Sequence, residues 1–428
     1  MAKSLVSLSL GIIAGNILAG TVNIVGSICP YLVSYFHSIN SDIWSTQVIS
    51  ISTIGYISEA ITNVLISYFS KRYKDFTLLF YSCGLSLLLF VVCCFINEPY
   101  TFFVVFGINT GMISVFASYV PVWIAWEHSD KKYKGLLSGF ATCAYMLGPF
   151  IYGLIFTATA NYDNKPPITV ENTTEVLFDE TIISRVPFSL YTFTAFSFVL
   201  GISMCMFLHI KNSYFTEKVH ESSMSISDLI KQKSFWHAFS LLFFKIFHYH
   251  YLLNIYKILG LYYNHDDFSM SAISAIGFIS AALLRILVGY ILDRFDWKKF
   301  TILVILSEIF ICLTFPLTFT NVYLFGIWFT LSLSLSSSSF LMIWILAQKL
   351  YPKDRWVMGL ISLSLIFDML LVNIFQGFVT PVIFTQIIGY SFTFVLVSVL
   401  LLCALCLTIL FDTRTDYPGL LENDTKHE

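Results

Sequence analysis

Twelve times along its length the chain runs for roughly 20 residues with almost no charge, enough for a helix rising 1.5 Å per residue to cross the hydrocarbon core of a bilayer. No water is available there to pair with backbone amides, so each run must close its hydrogen bonds within itself, and a single segment can do so only as an α-helix. A water-soluble fold is excluded. The composition agrees: 57% of the 428 residues are hydrophobic and 12% are charged, against about 25% charged in an ordinary soluble domain. Spans are predicted over 7–36, 44–70, 76–96, 100–126, 135–159 and 187–210, then over 235–259, 269–292, 300–320, 322–347, 357–384 and 386–411. The expected fold is an all-α membrane protein of about twelve transmembrane helices.

The longest polar connection separates the two sets of six. This divides the chain into an N-terminal six-helix bundle (1–210), a connection (211–233), a C-terminal six-helix bundle (234–411) and a tail (412–428). Within the connection, Ile226, Leu229 and Ile230 are spaced for a short amphipathic helix lying on the membrane surface. Lys3 precedes an apolar run that continues past Cys29 without a cleavage-site pattern, so the N-terminus reads as a first span rather than a secretory signal.

Orientation follows from the basic residues, which are retained on the cytoplasmic side. One face collects Lys71, Arg72 and Lys74; Lys131, Lys132 and Lys134; Lys211, Lys218, Lys231 and Lys233; Arg294, Lys298 and Lys299; Lys349, Lys353 and Arg355; and Arg414 and Lys426. The other face has Lys165, Arg185 and at most Lys257. Both termini are therefore expected in the cytoplasm, of a cell whose plasma membrane or an organelle membrane holds the protein. The segment Asn161 to Arg185 lies on the far side, where Asn172 heads a usable glycosylation sequon. The sequon at Asn423 falls in the cytoplasmic tail. A net charge of −2 gives no electrostatic reason for a nucleic-acid partner. All nine cysteines sit in apolar runs and read as small core residues, the Cys403/Cys406 spacing included; neither they nor the histidines suggest a metal or cofactor site.

The sequence also repeats. Gly55 to Tyr73 aligns with Gly277 to Phe295, and Gly55, Ile57, Ser58, Ala60, Leu65, Tyr68 and Arg72 are identical to their counterparts Gly277, Ile279, Ser280, Ala282, Leu287, Tyr290 and Arg294. Span 2 thus corresponds to span 8, each followed by a basic loop. Trp123-Ile124 and Trp344-Ile345 give a weaker echo. Two six-helix units repeated in parallel around a cavity are the geometry of alternating-access carriers.

Gly289, Asp293 and Arg294, followed by Lys298 and Lys299, form a loop pattern that resembles that of the major facilitator superfamily; Ser67 and Lys71 replace the glycine and aspartate in the first copy. Pro121 to Gly153, and Arg285 four residues before Gly289, resemble the oxalate/formate antiporter and monocarboxylate porter group. Two positions depart from that group. Ala281 stands where animal monocarboxylate porters carry an aspartate, and span 11 has Asp368 rather than the exchangers' lysine, so neither coupling scheme transfers intact. The superfamily resemblance implies that spans 3, 6, 9 and 12 are peripheral and the others face the cavity or the opposite half.

An ionisable residue in hydrocarbon costs about 2.5 to 3.5 kcal/mol on insertion scales, so each one needs a reason. The set comprises Glu59 (span 2), Lys245 and His248 (span 7), Arg285 (span 8), Glu308 (span 9) and Asp368 (span 11). Glu308, on a peripheral span, is the structural case. Arg285 is either a bidentate anchor for a substrate carboxylate or half of an ion pair with Glu59 or Asp368. Its counterpart in the first copy is the neutral Asn63. Glu59 and Asn63 share a helix face with Ser52, Gly55 and Tyr56; Glu59 and Asp368 are candidates for proton coupling or for structural pairs. Lys245 and His248, three apart, add positive potential, relay a proton or satisfy local partners, and with Arg285 and Asn63 they are the expected substrate-binding residues. His248 and His250 point too far apart on one helix to chelate together. Six serines between Ser332 and Ser339 either wet the cavity, bond backbone carbonyls or allow close packing.

The expected activity is secondary active transport of a small organic anion, a monocarboxylate first, by alternating access with proton coupling or exchange, in a protein expected to be monomeric. A carrier of another small organic solute (an amino acid, vitamin or drug-like molecule) and a non-transporting nutrient sensor are the alternatives. An enzyme would need a catalytic cluster, which the sequence does not supply.

Overall fold

The computed structural model describes residues 2–69, 73–128, 134–170, 175–209, 225–263, 265–292, 294–351, 356–376 and 386–411, which are almost wholly helical. Span 1 consists of α1 (Ala2–Ala19) and α2 (Val25–Ile39), joined by a 3-10 turn at Gly20–Asn23. Spans 2 to 6 are α3 (Ser45–Phe69), α4 (Asp75–Cys93), α5 (Pro99–His128), α6 (Lys134–Ala160) and α8 (Val186–Leu208), with the single-turn α7 (Glu180–Ile183) before the last. The surface segment α9 (Ile226–Ile230) leads into spans 7 to 10: α10 (Lys233–Tyr262), α11 (Asp267–Leu292), α12 (Trp297–Thr314) and α13 (Val322–Leu350). Span 11 is divided into α14 (Trp356–Ile361) and α15 (Ser364–Ile374), and α16 (Gln386–Leu410) is span 12.

Among the described residues, ten helical stretches are long and apolar enough to cross a membrane, with Gly359–Ile374 a shorter apolar helix. The ten do not include α10, whose lysines and histidines dilute its apolar character. Its residues from Lys245 to Leu261 are nonetheless all buried, which makes it one of the most enclosed helices of the bundle. In α9, Leu229 is buried whereas Ile226 and Ile230 are exposed. Cys403 and Cys406 are also exposed, so these two face the lipid side of α16 instead of the core.

The internal repeat reappears as repeated packing. Spans 2 and 4 pack together as spans 8 and 10 do; spans 1 and 6 as 7 and 12; spans 3 and 6 as 9 and 12. The two six-helix bundles meet along three seams, span 5 on span 8, span 2 on span 11, and span 1 on span 7. The first two are symmetry mates. At the third seam the backbones nearly touch: a Cβ on Gly26 would lie 1.6 Å from the carbonyl oxygen of Leu253, so only glycine fits there.

The interruption of span 1 was not anticipated. It occurs where span 1 crosses span 5, and a Cβ on Gly20 would come within 2.5 Å of the Tyr145 carbonyl oxygen. Glycine lowers helix propensity there, and Thr21 donates to the Leu18 carbonyl (2.8 Å), tightening the turn.

On the face opposite the basic loops, here the distal face, residues 161–170 and 175–185 form a folded cap. Strand β1 (Ile168–Thr169) pairs antiparallel with β2 (Val176–Leu177), Ile168 opposite Leu177. The cap is tied to the bundle because Phe178 donates its backbone N–H to Ser34 (2.9 Å) and stacks on Tyr31 (5.1 Å). Asp179 caps α7 and accepts from Thr181 and Lys165, which hold its carboxyl down at about 2. Asn172 lies outside the described residues.

Candidate functional site

Sorting the buried charges by partner isolates the site. Lys245 and Glu308, both fully buried, pair at 3.6 Å between spans 7 and 9, within the C-terminal bundle. One turn away, His248 shares its Nε2 between Ser332 (2.7 Å) and Cys312 (3.3 Å). Lys245 and His248 therefore point at spans 9 and 10, and the structure joins them to Glu308 rather than to Arg285. The serine run completes this wall of the bundle. Ser336, Ser337 and Ser338 donate to carbonyls three residues earlier and Ser339 reaches Glu308 at 3.5 Å.

The second compensated group lies near the distal face. Lys257 and Asp267 pair at 2.8 Å, each about 1% exposed, and both belong to the C-terminal bundle. The N-terminal bundle completes the cluster. Tyr31 donates to Asp267 (2.6 Å) and accepts from Lys257 (3.1 Å), and Asn161 donates to Asp267 (2.8 Å). Thr157 meets Ser271 (3.1 Å). Just below, Ser27 bonds Tyr256 and Ser52 donates to Asn254, each at 2.8 Å across the seam between the halves. The distal side is thus closed by polar contacts. On the basic side, Tyr119 of span 4 stacks on Trp344 of span 10 at 4.9 Å.

Between these closures lie the groups with unsatisfied chemistry. Asp368 is hydrogen-bonded to Nδ1 of His250, and that imidazole lies 4.0 Å from the ring of Tyr56 across the seam. Glu59 and Arg285, each 5% exposed, have no ion-pair partner among the described residues. The expected alternative of an Arg285 pair with Glu59 or Asp368 is not what the structure holds. Glu59 accepts from Ser114, while its Oε2 and the Nε of Arg285 have no hydrogen-bond partner among the described residues. The guanidinium sits 5.9 Å from the ring centroid of Tyr145. Tyr56, Tyr145 and Tyr249 lie within electrostatic reach of both groups, so the same three phenols neighbour a lone carboxyl and a lone guanidinium. Asn63, the symmetry counterpart of Arg285, is buried on the same stripe as Ser52, Tyr56 and Glu59 and pairs with Tyr119.

The sequence marked Glu59, Arg285 and Asp368. It missed His250, set aside with the rejected metal pair, and Asp267, which looked like a loop residue. It placed Lys257 only as a distal-face charge. A recoverable signal existed: Lys257 and Asp267 flank the short span 7 to span 8 loop, close enough to pair. In the loop motif, Arg294 stacks on Tyr290 at 4.2 Å and open space surrounds the position a Cβ on Gly289 would take. Asp293 lies outside the described residues. Among the described residues, no group of three or more His, Cys, Asp or Glu side chains is placed to hold a metal ion.

Residues 11–365 match the model of the Major Facilitator Superfamily. No curated protein sequence matches the chain. Among solved structures, a D-xylose–proton symporter is similar with TM-score 0.73 at 14% identity, over 95% of this chain and 97% of that one. The xylose transporter XylE from E. coli, in a partially occluded inward-open conformation, is similar with TM-score 0.69 at 14% identity, over 95% and 99%. The nucleoside transporter NupG is similar with TM-score 0.67 at 12% identity, over 94% and 98%.

Proposed function

Since the chain belongs to the major facilitator superfamily, we propose that it is a secondary active transporter of a small organic anion, a monocarboxylate first, anchored by Arg285 and moved by alternating access with proton coupling or exchange. One observation carries the choice of anion: Arg285 is buried on span 8, which packs against span 5 at a seam between the bundles, with no carboxylate partner among the described residues. An arginine cannot discharge, and an unpaired cation in low dielectric is costly, so a carboxylate arriving in its fork is strongly favoured. Asp368, held by His250, and Glu59 are the groups through which a proton is coupled. Asymmetry at the paired positions 63 and 285 suits a substrate with one charged end.

Arg285→Lys keeps the charge and loses the bidentate fork, so it should weaken carboxylate uptake sharply in a well-expressed protein. Wild-type affinity in both Arg285→Lys and Arg285→Gln would refute direct recognition. A neutral polar solute is the second reading, favoured by the xylose and nucleoside carriers of similar fold and by the amide and phenol groups around the seam. It predicts competition by sugars or nucleosides and not by carboxylates. We further propose a monomer with both termini in the cytoplasm. Labelling of a Ser223→Cys variant by an impermeant reagent in intact cells would overturn that orientation.

A further inference from the structure

Resting on the reading that Arg285 takes a carboxylate, we infer that the substrate is a zwitterion whose cationic amine is received by Glu59, with the two charges held apart across Tyr56, Tyr145 and Tyr249. Lys245 is matched by Glu308 and Lys257 by Asp267, while Asp368 has a hydrogen bond to His250. Among the described residues one buried acid and one buried base are left over, Glu59 and Arg285, both 5% exposed, and they form no ion pair with each other. A simple carboxylate would satisfy Arg285 and leave Glu59 as an uncompensated buried carboxyl. A zwitterion satisfies both at once and enters the site with no net charge, which is the cheapest way to fill a low-dielectric pocket that holds one acid and one base.

The lining supports an amine at the Glu59 end. Glu59 offers Oε2, an acceptor with no hydrogen-bond partner, and aromatic faces attract ammonium groups. The hydroxyls of two of the phenols are already directed elsewhere: Tyr56 donates to Asn23, and Tyr145 shares a contact with Ser114 at 3.4 Å. Their rings, not their oxygens, are what they offer a ligand. Sequence symmetry adds an independent point. Glu59 corresponds to Ala281 and Arg285 to Asn63, so on two equivalent helices the acid and the base stand one turn out of register. A pair that served packing would gain from being opposed; an offset pair leaves room for a molecule between. With Glu59 engaged by the amine, the Asp368–His250 pair remains as the proton-coupling element.

The test uses the purified full chain in proteoliposomes. Counterflow and ligand-induced thermal stabilisation are measured with the twenty standard amino acids and with β-alanine, 4-aminobutyrate and 6-aminohexanoate, each beside its des-amino carboxylic acid. The expected result is at least one amino-bearing ligand whose affinity falls more than about tenfold when the amine is removed, the scale of one hydrogen-bonded charge contact. Glu59→Gln should abolish that preference and Glu59→Asp should retain it. Des-amino acids bound as tightly as their amino counterparts, or a preference unchanged in Glu59→Gln, would overturn the zwitterion and leave the carboxylate reading standing. Binding of neither amino acids nor carboxylic acids would overturn both. The wild-type comparison decides the matter even where a variant does not fold.

Discussion

Removing the hydroxyl of Tyr31 should unlatch the distal face. That oxygen donates to Asp267 and accepts from Lys257, joining the N-terminal bundle to a charged pair owned entirely by the C-terminal bundle. The Tyr31→Phe ring keeps its stack on Phe178 and its place 4.6 Å from the Lys257 ammonium, so packing and the cation–π contact survive. What is lost is hydrogen bonding to charged groups, about 1.5 to 3 kcal/mol when the site is closed and far less when water replaces the partner. At about 1.4 kcal/mol per decade, the closed-to-open ratio should fall by roughly 10- to 100-fold. A distal side open 1% of the time would become open about 10 to 50% of the time. Spin labels at Ile39, the end of span 1, and Tyr323, the start of span 10, stand on opposite bundles at exposed distal positions. Electron–electron resonance distances between them should show a longer population growing in Tyr31→Phe. An unchanged distribution in a folded variant would refute the latch.

Three further outcomes are expected. Lys245→Met or Glu308→Leu alone should cost about 3 to 5 kcal/mol by stranding a buried charge, and the double substitution should recover most of it, as read by thermal unfolding in detergent. Asp368→Asn should abolish gradient-driven accumulation while leaving exchange intact; unchanged accumulation and pH dependence in both this variant and Glu59→Gln would make those charges structural. Because Asp179 titrates at about 2, below an ordinary carboxyl, its contribution to the distal cap is present above the unfolded value of about 3.9 and lost as pH falls through about 2. Amide exchange over residues 176–183 should therefore stay slow at pH 4 and rise only near pH 2.

The bundle was legible from sequence because hydrocarbon imposes one requirement everywhere, a run of about 20 apolar residues per crossing, and the expected limits of most spans fall within a few residues of the helices formed, while the expected end of span 11 at 384 lies outside the described residues. The breaks were not legible. The turn at Gly20–Asn23 is set by a close crossing with span 5, and the division of span 11 at Ser362 and Leu363 has no proline to announce it, only Gly359 one turn earlier. Burial cost flagged Glu59, Arg285, Glu308 and Asp368 without revealing partners, since partners depend on which helices become neighbours. Hence Lys245 and His248 looked like cavity residues until spans 9 and 10 were seen to receive them. His250 was visible only as half of an implausible metal pair, although its contact with Asp368 bridges spans 7 and 11.

The ownership of the distal charges bears on speed. Lys257 and Asp267 belong to the same bundle, and when the bundles part they travel together. Opening therefore never pulls a cation from an anion through a poorly polarisable medium, an event that would raise the barrier by many times the thermal energy. It exchanges a phenol, an amide and a threonine hydroxyl for water molecules. Such a seal withstands thermal fluctuation while closed and yet can be broken and remade in every cycle without a steep activation barrier, as a carrier that must turn over repeatedly requires.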